Sequence, residues 1–412
     1  MLGDLGLVQG VTSSGRLQVP IEHLVRAPQE RIYDLGYWEE GLWPRAGEHS
    51  DDAQARAQLD SLLSGMAIRG RDGRRPFELP LARCSIDQRG LDRQSAAQWI
   101  TEQGLGGERL RWYLEYATRD DFGASLKDTS AFALLHYFLA REDAQGKGAE
   151  FLTWPEGNGR LVEGMAALLS TPVQTGQVAV RVEQAATKAH VDTLDVASSV
   201  VTRWQADFVV LALPQYVVAR LLAKDPARTA RQAFRYSPWV VANLHLARVP
   251  HSRGFPPAWD NVQRGSPSLG YVNATHQLDR NTQSDTAWTW YLPLTDSDER
   301  VARARLLAST WGEWRDIVLD DLAPAHPGLI ENVTRIDLRR WGHAMVKPTP
   351  GFLWGPERLA AAQPVGRVHF AHSDLSGMAL YEEAHWQGVR AAEEIQAAMG
   401  IEGASLINDE AR

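Results

Sequence analysis

Apolar residues recur every three to four positions in several stretches of the first part of the chain. This spacing places them on one face of an α-helix, as in AAQWITEQGL. Helices are therefore predicted over residues 51–66, 95–114 and 129–141, and Ser or Thr at the start of the last one can cap its first amides. The first 150 residues are expected to be mostly helical.

The pattern changes after Trp154. A glycine-rich loop, PEGNGRLVEGMAALL, leads into a helix, VAVRVE alternates like a strand over 178–183, and ADFVVLALP is an apolar run over 206–214. A short apolar run of this kind, ended by proline, is typical of a buried strand in a parallel or mixed sheet. The other predicted elements are strands within 239–294, a helix at 298–321, a strand at 333–339 and a final strand and helix. This alternation predicts an α/β fold whose sheet-forming pieces are dispersed along the chain.

The motif RDDFG is the most charged compact group, with Arg119, Asp120 and Asp121 preceding Gly123 in a predicted polar loop. Two interpretations are open. The charges form a substrate-facing ion-pair cluster at a domain junction, or they belong to a solvated loop with an acid that caps a helix, which is the commoner use of such residues. A metal site is rejected, because no histidine stands at ligand spacing beside the two carboxylates.

The composition is that of an ordinary globular protein. Of the 412 residues, 44% are hydrophobic and 23% are charged, and this length is usual for two domains or one large α/β body. The net charge of −8 argues against a general nucleic-acid partner, because no basic excess exists to neutralise phosphates. Cys84 is the only cysteine, so one chain can build neither a disulfide nor a thiolate metal cage.

Targeting signals are not apparent in the sequence as written. No apolar segment approaches the ~20 residues that a membrane span requires. The start, MLGDLGLVQGVTSSG, lacks the basic residues and the long apolar run of a secretory signal. The sequence as written therefore predicts a cytoplasmic protein, and periplasmic export stays open for a start that lies further upstream.

The stretch FAHSDLSGMALYEEAHWQGVRAAEEIQAAMG joins the end of a buried strand, an acidic turn at Asp374 and a helix that begins near 379–381. Small residues lie along this helix at Ala384, Gly388, Ala391, Ala392 and Ala398. Either the helix is close-packed in a core, or a large anionic group lies against the turn, where a helix N-terminus offers amides and partial positive charge. The order of the surrounding elements favours the second interpretation.

This order of elements resembles that of the flavin-containing amine oxidoreductase family, to which monoamine oxidase and the carotenoid desaturases belong. The family ends in a pattern close to V/I-x-F-A-G-D/E, followed by E-G-A-x-x-S/A-G-x-x-A-A. The residues that fill the corresponding places here are Val368, Phe370, Ala371, Asp374, Glu383, Ala384, Gly388, Ala391 and Ala392. The sequence departs from the pattern at His372-Ser373, where the family usually has glycine, and at His385-Trp386 in the helix.

The resemblance implies that the cofactor is FAD. Asp374, preceded by Ser373, would accept a hydrogen bond from a ribityl hydroxyl, and the small residues would let the helix approach the flavin closely. VAVRVE is similar to the family strand whose backbone contacts the adenine, and LALP is similar to the strand end at which the chain leaves the flavin domain. The cofactor-binding residues implied in this way are Ser373, Asp374, Glu383, Ala384, Gly388, Val180, Ala212, Pro214 and Trp341. His343 is more simply a loop histidine, and no catalytic acid or base is identified.

The implied architecture is a Rossmann-like, GR2-type FAD-binding domain built from dispersed segments, with a substrate domain of mixed sheet and helices. The expected segments are a helical part of the substrate domain at 1–149, a FAD-binding segment at 150–220, a β-rich substrate segment at 221–340 and a C-terminal FAD-binding segment at 341–412. Other stretches, such as APQERIYDLGYWEEGLWP, are similar to a bacterial branch of these oxidoreductases. The implied activity is oxidation of a small organic substrate by hydride transfer to flavin, and homodimerisation stays open.

One departure concerns the phosphate-binding motif. No G-x-G-x-x-G occurs in the sequence, and the N-terminal MLGDLGLVQG is similar to the helix that follows this motif in the family. The first βαβ unit of the flavin domain is therefore expected to be missing. An alternative to the enzyme is consequently a non-catalytic remnant that binds no flavin.

A second departure concerns a lysine that amine oxidases commonly carry on a middle strand. The strand PWVVANLHLARVP has Ala242 and Asn243 at that place, and Lys347 is expected in a surface loop. Amine oxidation is therefore not favoured, whereas hydride transfer of the desaturase or dehydrogenase kind would not require the lysine.

Overall fold

The computed structural model describes residues 1–12, 17–141, 151–278, 285–403 and 405–407. The described chain has a mixed α/β fold, and it forms two compact units. Unit 1 is drawn from Met1–Ala53, Asp143–Val173 and Pro238–Gly342, and unit 2 from Gln54–Glu142, Gln174–Ser237 and His343–Arg412. Each unit is thus assembled from segments that are distant in sequence.

The strands and helices have the following bounds. The strands are β1 (Gly10–Val11), β2 (Leu17–Gln18), β3 (Glu30–Asp34), β4 (Tyr37–Glu40), β5 (Gln177–Gln184), β6 (Ala189–Asp195), β7 (Val201–Ala206), β8 (Val209–Ala212), β9 (Tyr236–Leu246), β10 (Asp260–Gln263), β11 (Tyr271–Asn273), β12 (Thr286–Pro293), β13 (Val333–Val346) and β14 (Val368–Ala371). The α-helices are α1 (Ser50–Met66), α2 (Ala96–Glu102), α3 (Glu108–Phe122), α4 (Ala131–Leu139), α5 (Gly159–Ala167), α6 (Gln215–Leu221), α7 (Arg228–Arg231), α8 (Glu299–Ala308), α9 (Trp311–Leu322), α10 (Leu329–Asn332), α11 (Pro356–Ala362) and α12 (Tyr381–Ala398).

Unit 1 is organised around a sheet of seven strands in the order β13-β9-β12-β11-β10-β3-β4. β12 and β9 pair antiparallel along eight positions, from Thr286 opposite Leu246 to Pro293 opposite Trp239. Because successive strand residues point to opposite faces, buried and half-buried residues alternate along β9 from Val240 to Leu246. Val240, Ala242, Leu244 and Leu246 belong to one core with residues of α8, α9 and α10.

A buried arginine ties three strands of this sheet together. Arg31 on β3 is 1% exposed, and β3 pairs in parallel with β10, which lies some 230 residues later in the chain. The guanidinium group donates to neutral acceptors at Asn261 Oδ1 (2.5 Å), Ser252 Oγ (3.1 Å), the Phe255 carbonyl (3.0 Å) and the Tyr271 hydroxyl (3.0 Å), and it lies 3.9 Å from the centroid of the Trp38 ring. Burial lowers the pKa of Arg31, and the Tyr271 hydroxyl opposes that shift.

Several helix predictions need correction. The predicted helix at 95–114 is two helices, α2 and α3, and the predicted helix at 298–321 is also two, α8 and α9. α9 begins with a capping box in which Thr310 and Glu313 satisfy each other's backbone amides, so a new helix starts there. The first 150 residues also contain β3 and β4, which the helical spacing did not predict.

The RDDFG motif is not a loop. Arg119, Asp120 and Asp121 form the last turn of α3, which Gly123 ends in a left-handed conformation (φ 58°). Asp121 is buried and forms an ion pair with Arg141 just after α4. Burial raises the pKa of Asp121, and Arg141 opposes that shift. The prediction of a polar loop is therefore wrong here, and the substrate-facing role of the ion pair stays a prediction.

Unit 2 contains a parallel pair of strands, β14 and β8, and an antiparallel sheet in the order β5-β6-β7. All four residues of β14 are buried. Its Val368 and Phe370 pack with Leu211 of β8, Val218 of α6 and Leu375. Within the part of the chain that the structure describes, every helix is too short or too polar to traverse a bilayer.

Two tryptophans one turn apart on α9 test the core of unit 1. Trp314 is 1% exposed and Trp311 is 53% exposed. We expect Trp314→Ala to lower the free energy of unfolding by about 3–5 kcal/mol, because it removes a large buried ring. Trp311→Ala should change it by about 0.5 kcal/mol or less. Denaturant unfolding of both variants measures this, and equal effects would contradict the assigned core.

Candidate active site

The carboxyl ends of the two parallel strands of unit 2 carry a buried acid. β14 ends at Ala371, opposite Ala212 at the end of β8, and Asp374 follows in a short 3-10 helix. Asp374 is 2% exposed. Its Oδ2 accepts hydrogen bonds from the backbone amide of Gln215 (2.8 Å) and from the Tyr236 hydroxyl (2.5 Å). The acid therefore lies at the N-terminus of α6, where helix amides favour a negative charge.

Tyr236 is held as a hydrogen-bond donor to this acid. Burial, with the neighbouring Asp374 carboxylate, raises the pKa of Tyr236 well above its ordinary value, so the phenol keeps its proton. Tyr216 and His343 lie beside it. The His343 ring stacks on Tyr216 with centroids 4.1 Å apart and meets Tyr236 edge-on at 5.6 Å. His343 is thus a strand residue in an aromatic cluster and not a loop histidine.

A buried ion pair contacts the side chain of Gln215. The Gln215 side-chain oxygen accepts a hydrogen bond from Arg231, and Arg231 is paired with Asp225 at 2.8 Å, with both side chains fully buried. The guanidinium carbon also lies 4.2 Å from the centroid of the Phe370 ring on β14. Burial lowers the pKa of Arg231, and Asp225 opposes that shift. The contacts form a continuous series from Asp225 through Arg231 and Gln215 to Asp374.

Helix α12 presents its small residues to solvent. Ala384 and Gly388 are exposed, and a Cβ added at Gly388 would meet no atom within 4 Å. Of the small residues singled out from sequence, Ala391 is buried and Ala392 and Ala398 are exposed. The close-packed core interpretation is therefore wrong for most of this face. Leu380, the N-cap residue of α12, makes no side-chain cap bond to the first amides.

Glu383 points into the interior of unit 2. It is fully buried, and its Oε1 accepts a hydrogen bond from the Leu81 amide at 2.5 Å. Burial raises the pKa of Glu383. Lys347, expected in a surface loop, is also buried (8% exposed): its amide bonds the Arg235 carbonyl, and its ammonium lies 3.6 Å from Asp128. Lys347 does lie in a loop after β13, but its expected position at the surface is wrong.

Val180 occupies an irregularity of β5. The register between β5 and β6 passes from Ala179 opposite Thr193 directly to Arg181 opposite Asp192, so Val180 has no cross-strand partner. Such a bulge interrupts the ladder and re-aims the local backbone. Val180 is 44% exposed.

The remaining sequence-predicted site residues are distributed as follows. Ser373 is buried beside Asp374, and Pro214 directly precedes Gln215 as the N-cap residue of α6. Ala212 is exposed at the end of β8. Trp341 lies on β13 in unit 1 and is 54% exposed. On β9, Ala242 is buried, and Asn243 accepts a hydrogen bond from Thr289 at 2.9 Å.

Sequence reasoning missed the residues that hold Asp374. Gln215 directly follows the predicted strand over 206–214, which ends at Pro214. A proline followed by a polar residue can mark the start of a helix, and this was the signal available in the sequence. Tyr236, Arg231 and Asp225 carry no motif, because their side chains meet Gln215 and Asp374 only in the folded unit. His372 was the one position near Asp374 that the sequence did mark as unusual, because it stands where the family pattern has glycine.

A sequence model of the flavin-containing amine oxidoreductases matches residues 18–396. The chain belongs to this family, as its C-terminal pattern predicts, and it is a FAD-dependent oxidoreductase. No curated protein matches the sequence.

Solved structures share the fold at low sequence identity. Cyclohexylamine oxidase from Brevibacterium oxydans IH-35A is 17% identical with a TM-score of 0.61, over 92% of this chain and 82% of that one. Putrescine oxidase bound to putrescine is 15% identical with a TM-score of 0.64, over 95% and 91%. A fatty acid isomerase from P. acnes that produces CLA is 14% identical with a TM-score of 0.62, over 95% and 89%.

The residues of unit 2 fit a flavin dinucleotide at three places. The exposed small-residue face of α12 leaves room for close approach at Gly388. The bulge at Val180 interrupts the β5 ladder. Asp374 uses Oδ2 for two donors, and a carboxylate offers about four acceptor positions in all. At His372 the chain departs from the glycine of the family pattern.

The buried pair of Arg231 and Asp225 gives a test of the support under Asp374. Arg231→Ala leaves the Asp225 carboxylate buried and unpaired, so we expect unfolding to require about 3–5 kcal/mol less free energy. The exposed pair of Lys188 and Asp207, 2.6 Å apart and also in unit 2, is the matched control. Lys188→Ala should cause no resolvable change, because solvent screens that pair. Urea unfolding compares the two, and an Arg231 variant as stable as the control would contradict the assignment.

Proposed function

We propose that this chain oxidises a small organic substrate by hydride transfer to FAD and that Asp374 accepts a hydrogen bond from a ribityl hydroxyl of the cofactor. The observation that carries the proposal is the buried Asp374 carboxylate at the carboxyl end of β14. In open α/β sheets, ligands bind outside the carboxyl ends of parallel strands. The family match over 18–396 supports a flavin as that ligand.

The chain's own residues would bind and orient the cofactor. Asp374 supplies an acceptor whose direction is set by the Gln215 amide and the Tyr236 phenol. The N-terminus of α12 would offer the partial positive charge of its helix to an electron-rich group. The Val180 backbone is available to the adenine half. When bound, FAD supplies the hydride acceptor.

The substrate need not be an amine. β9 has Ala242 and Asn243 at the place where a lysine was sought, and neither side chain carries an ammonium group. The similar solved structures include cyclohexylamine oxidase and putrescine oxidase but also a fatty acid isomerase. Hydride transfer of the desaturase or dehydrogenase kind requires no lysine, and it is the activity that we favour.

The cofactor-binding segments proposed at 150–220 and 341–412 overlap with unit 2 over 174–220 and 343–412. The second candidate is a non-catalytic protein that binds no flavin. Two observations favour it: the sequence has no G-x-G-x-x-G, and β14 pairs in its sheet with β8 alone among the described strands.

An absorbance spectrum of the purified chain, with and without added FAD, decides between the two candidates. We expect the shifted and resolved bands of a bound flavin, followed by bleaching when a substrate is added without oxygen. A colourless protein whose spectrum is the sum of free FAD and apoprotein would instead support the non-catalytic candidate.

Asp374→Asn tests the role of the acid. Loss of a charged acceptor should weaken FAD binding about 10- to 100-fold, because hydrogen bonds to charged groups contribute about 1.5–3 kcal/mol. Asp207 is the matched control: it lies in unit 2, is 66% exposed and pairs only with Lys188 among the contacts described for its side chain. Asp207→Asn should bind FAD like the wild type. Fluorescence titration measures both, and equal affinities would contradict the proposed contact.

A further inference from the structure

His372 has a backbone conformation that residues other than glycine rarely adopt. Its φ is 146° and its ψ is 150°, in a region that is essentially restricted to glycine. Among the described residues, the other non-glycine residues with positive φ are Leu35 at 48° and Ser199 at 60°, which lie near the ordinary left-handed region. Strain of the kind found at His372 persists only where surrounding contacts enforce it, and it concentrates at functional sites.

The imidazole of His372 contacts Asp374 twice. Its Nδ1 accepts a hydrogen bond from the Asp374 amide at 3.2 Å and lies 3.1 Å from Asp374 Oδ1. The other carboxylate oxygen, Oδ2, is already bound by Gln215 and Tyr236. His372 is therefore the side chain that faces the remaining oxygen of the acid, and its ring is 30% exposed. Glycine at this position would remove the strain and both contacts.

We propose that His372 is a positioning residue that orients Asp374 toward FAD and that the strained backbone is retained for this contact. The inference rests on the proposed function of Asp374 as an acceptor for the cofactor. The Asp374 amide donates its hydrogen bond to Nδ1 of His372. This bond fixes the start of the turn that carries Asp374, while Oδ1 keeps acceptor capacity for a ligand hydroxyl.

A purely structural cap makes a different prediction. If His372 only capped the 3-10 turn Ser373–Ser376, then glycine, which adopts this backbone freely, would leave FAD binding intact. If His372 positions Asp374, its side chain contributes more to FAD binding than to the stability of the fold. Replacement by glycine should then weaken FAD binding while relieving strain.

Three single variants separate the side chain from the backbone. His372→Gly and His372→Ala both lack the imidazole, so each should weaken FAD binding about 3- to 10-fold, the effect of one hydrogen bond. His372→Gly should nevertheless unfold at least about 2 °C above His372→Ala without FAD, because only alanine keeps a strained Cβ. His372→Asn should restore most of the affinity, since its side-chain oxygen can accept the Asp374 amide.

A double-mutant cycle then tests whether His372 acts through Asp374. Adding His372→Gly to Asp374→Asn should change the FAD dissociation constant less than twofold, because the group that His372 orients is already altered. Independent, multiplying effects would overturn the positioning role, and so would a His372→Gly protein that binds FAD within twofold of the wild type. An Asp374→Asn protein with wild-type affinity for FAD would instead contradict the proposed contact between Asp374 and the cofactor. The positioning role of His372, which rests on that contact, would then be contradicted as well.

Discussion

The candidate site depends on one buried carboxylate. Asp374 lies where β14 ends, and its position is set by the first amide of α6 and by the phenol of Tyr236. A buried acid is costly unless its oxygens are hydrogen-bonded, so these donors are a condition for the acid to remain there. They also join two segments of unit 2 at one point, because Gln215 and Tyr236 lie in Gln174–Ser237 and Asp374 lies in His343–Arg412.

A buried ion pair supports the hydrogen bonds around Asp374. Arg231 donates to the side chain of Gln215, pairs with Asp225 and covers the Phe370 ring of β14. A buried ion pair contributes little net stability, but breaking it is expensive, because one charge is left without a partner. The pair therefore fixes the start of α6 more than it strengthens the fold. A cofactor that meets Asp374 would encounter an acceptor whose direction is already determined, which lowers the cost of ordering on binding.

Sequence reasoning predicted the elements of this site better than its contacts. The final strand and helix follow from a short apolar run and a helical repeat, and the structure has them at Val368–Ala371 and Tyr381–Ala398. Thr310 and Glu313, a capping box readable in the sequence, mark the break between α8 and α9 that the helical spacing alone did not indicate.

Other features depend on partners that are distant in sequence. β3 was missed because its strand neighbour, β10, lies some 230 residues away, and Asp121 was assigned to a loop because its partner Arg141 belongs to the next helical segment. Lys347 was expected at the surface, but it is buried, and its amide donates to the carbonyl of Arg235. The backbone angle of His372 has no signature in the sequence beyond the missing glycine.

Hydrogen–deuterium exchange of the full chain, with and without FAD, would locate the cofactor most directly. A flavin bound at Asp374 should slow amide exchange at Asp374 and Gln215, at the first turn of α12 and around Val180 in β5, while the sheet of unit 1 centred on β9 and β12 changes little. Exchange that stays unchanged at these unit 2 segments under saturating FAD, or protection confined to other parts of the chain, would contradict a cofactor site built around Asp374.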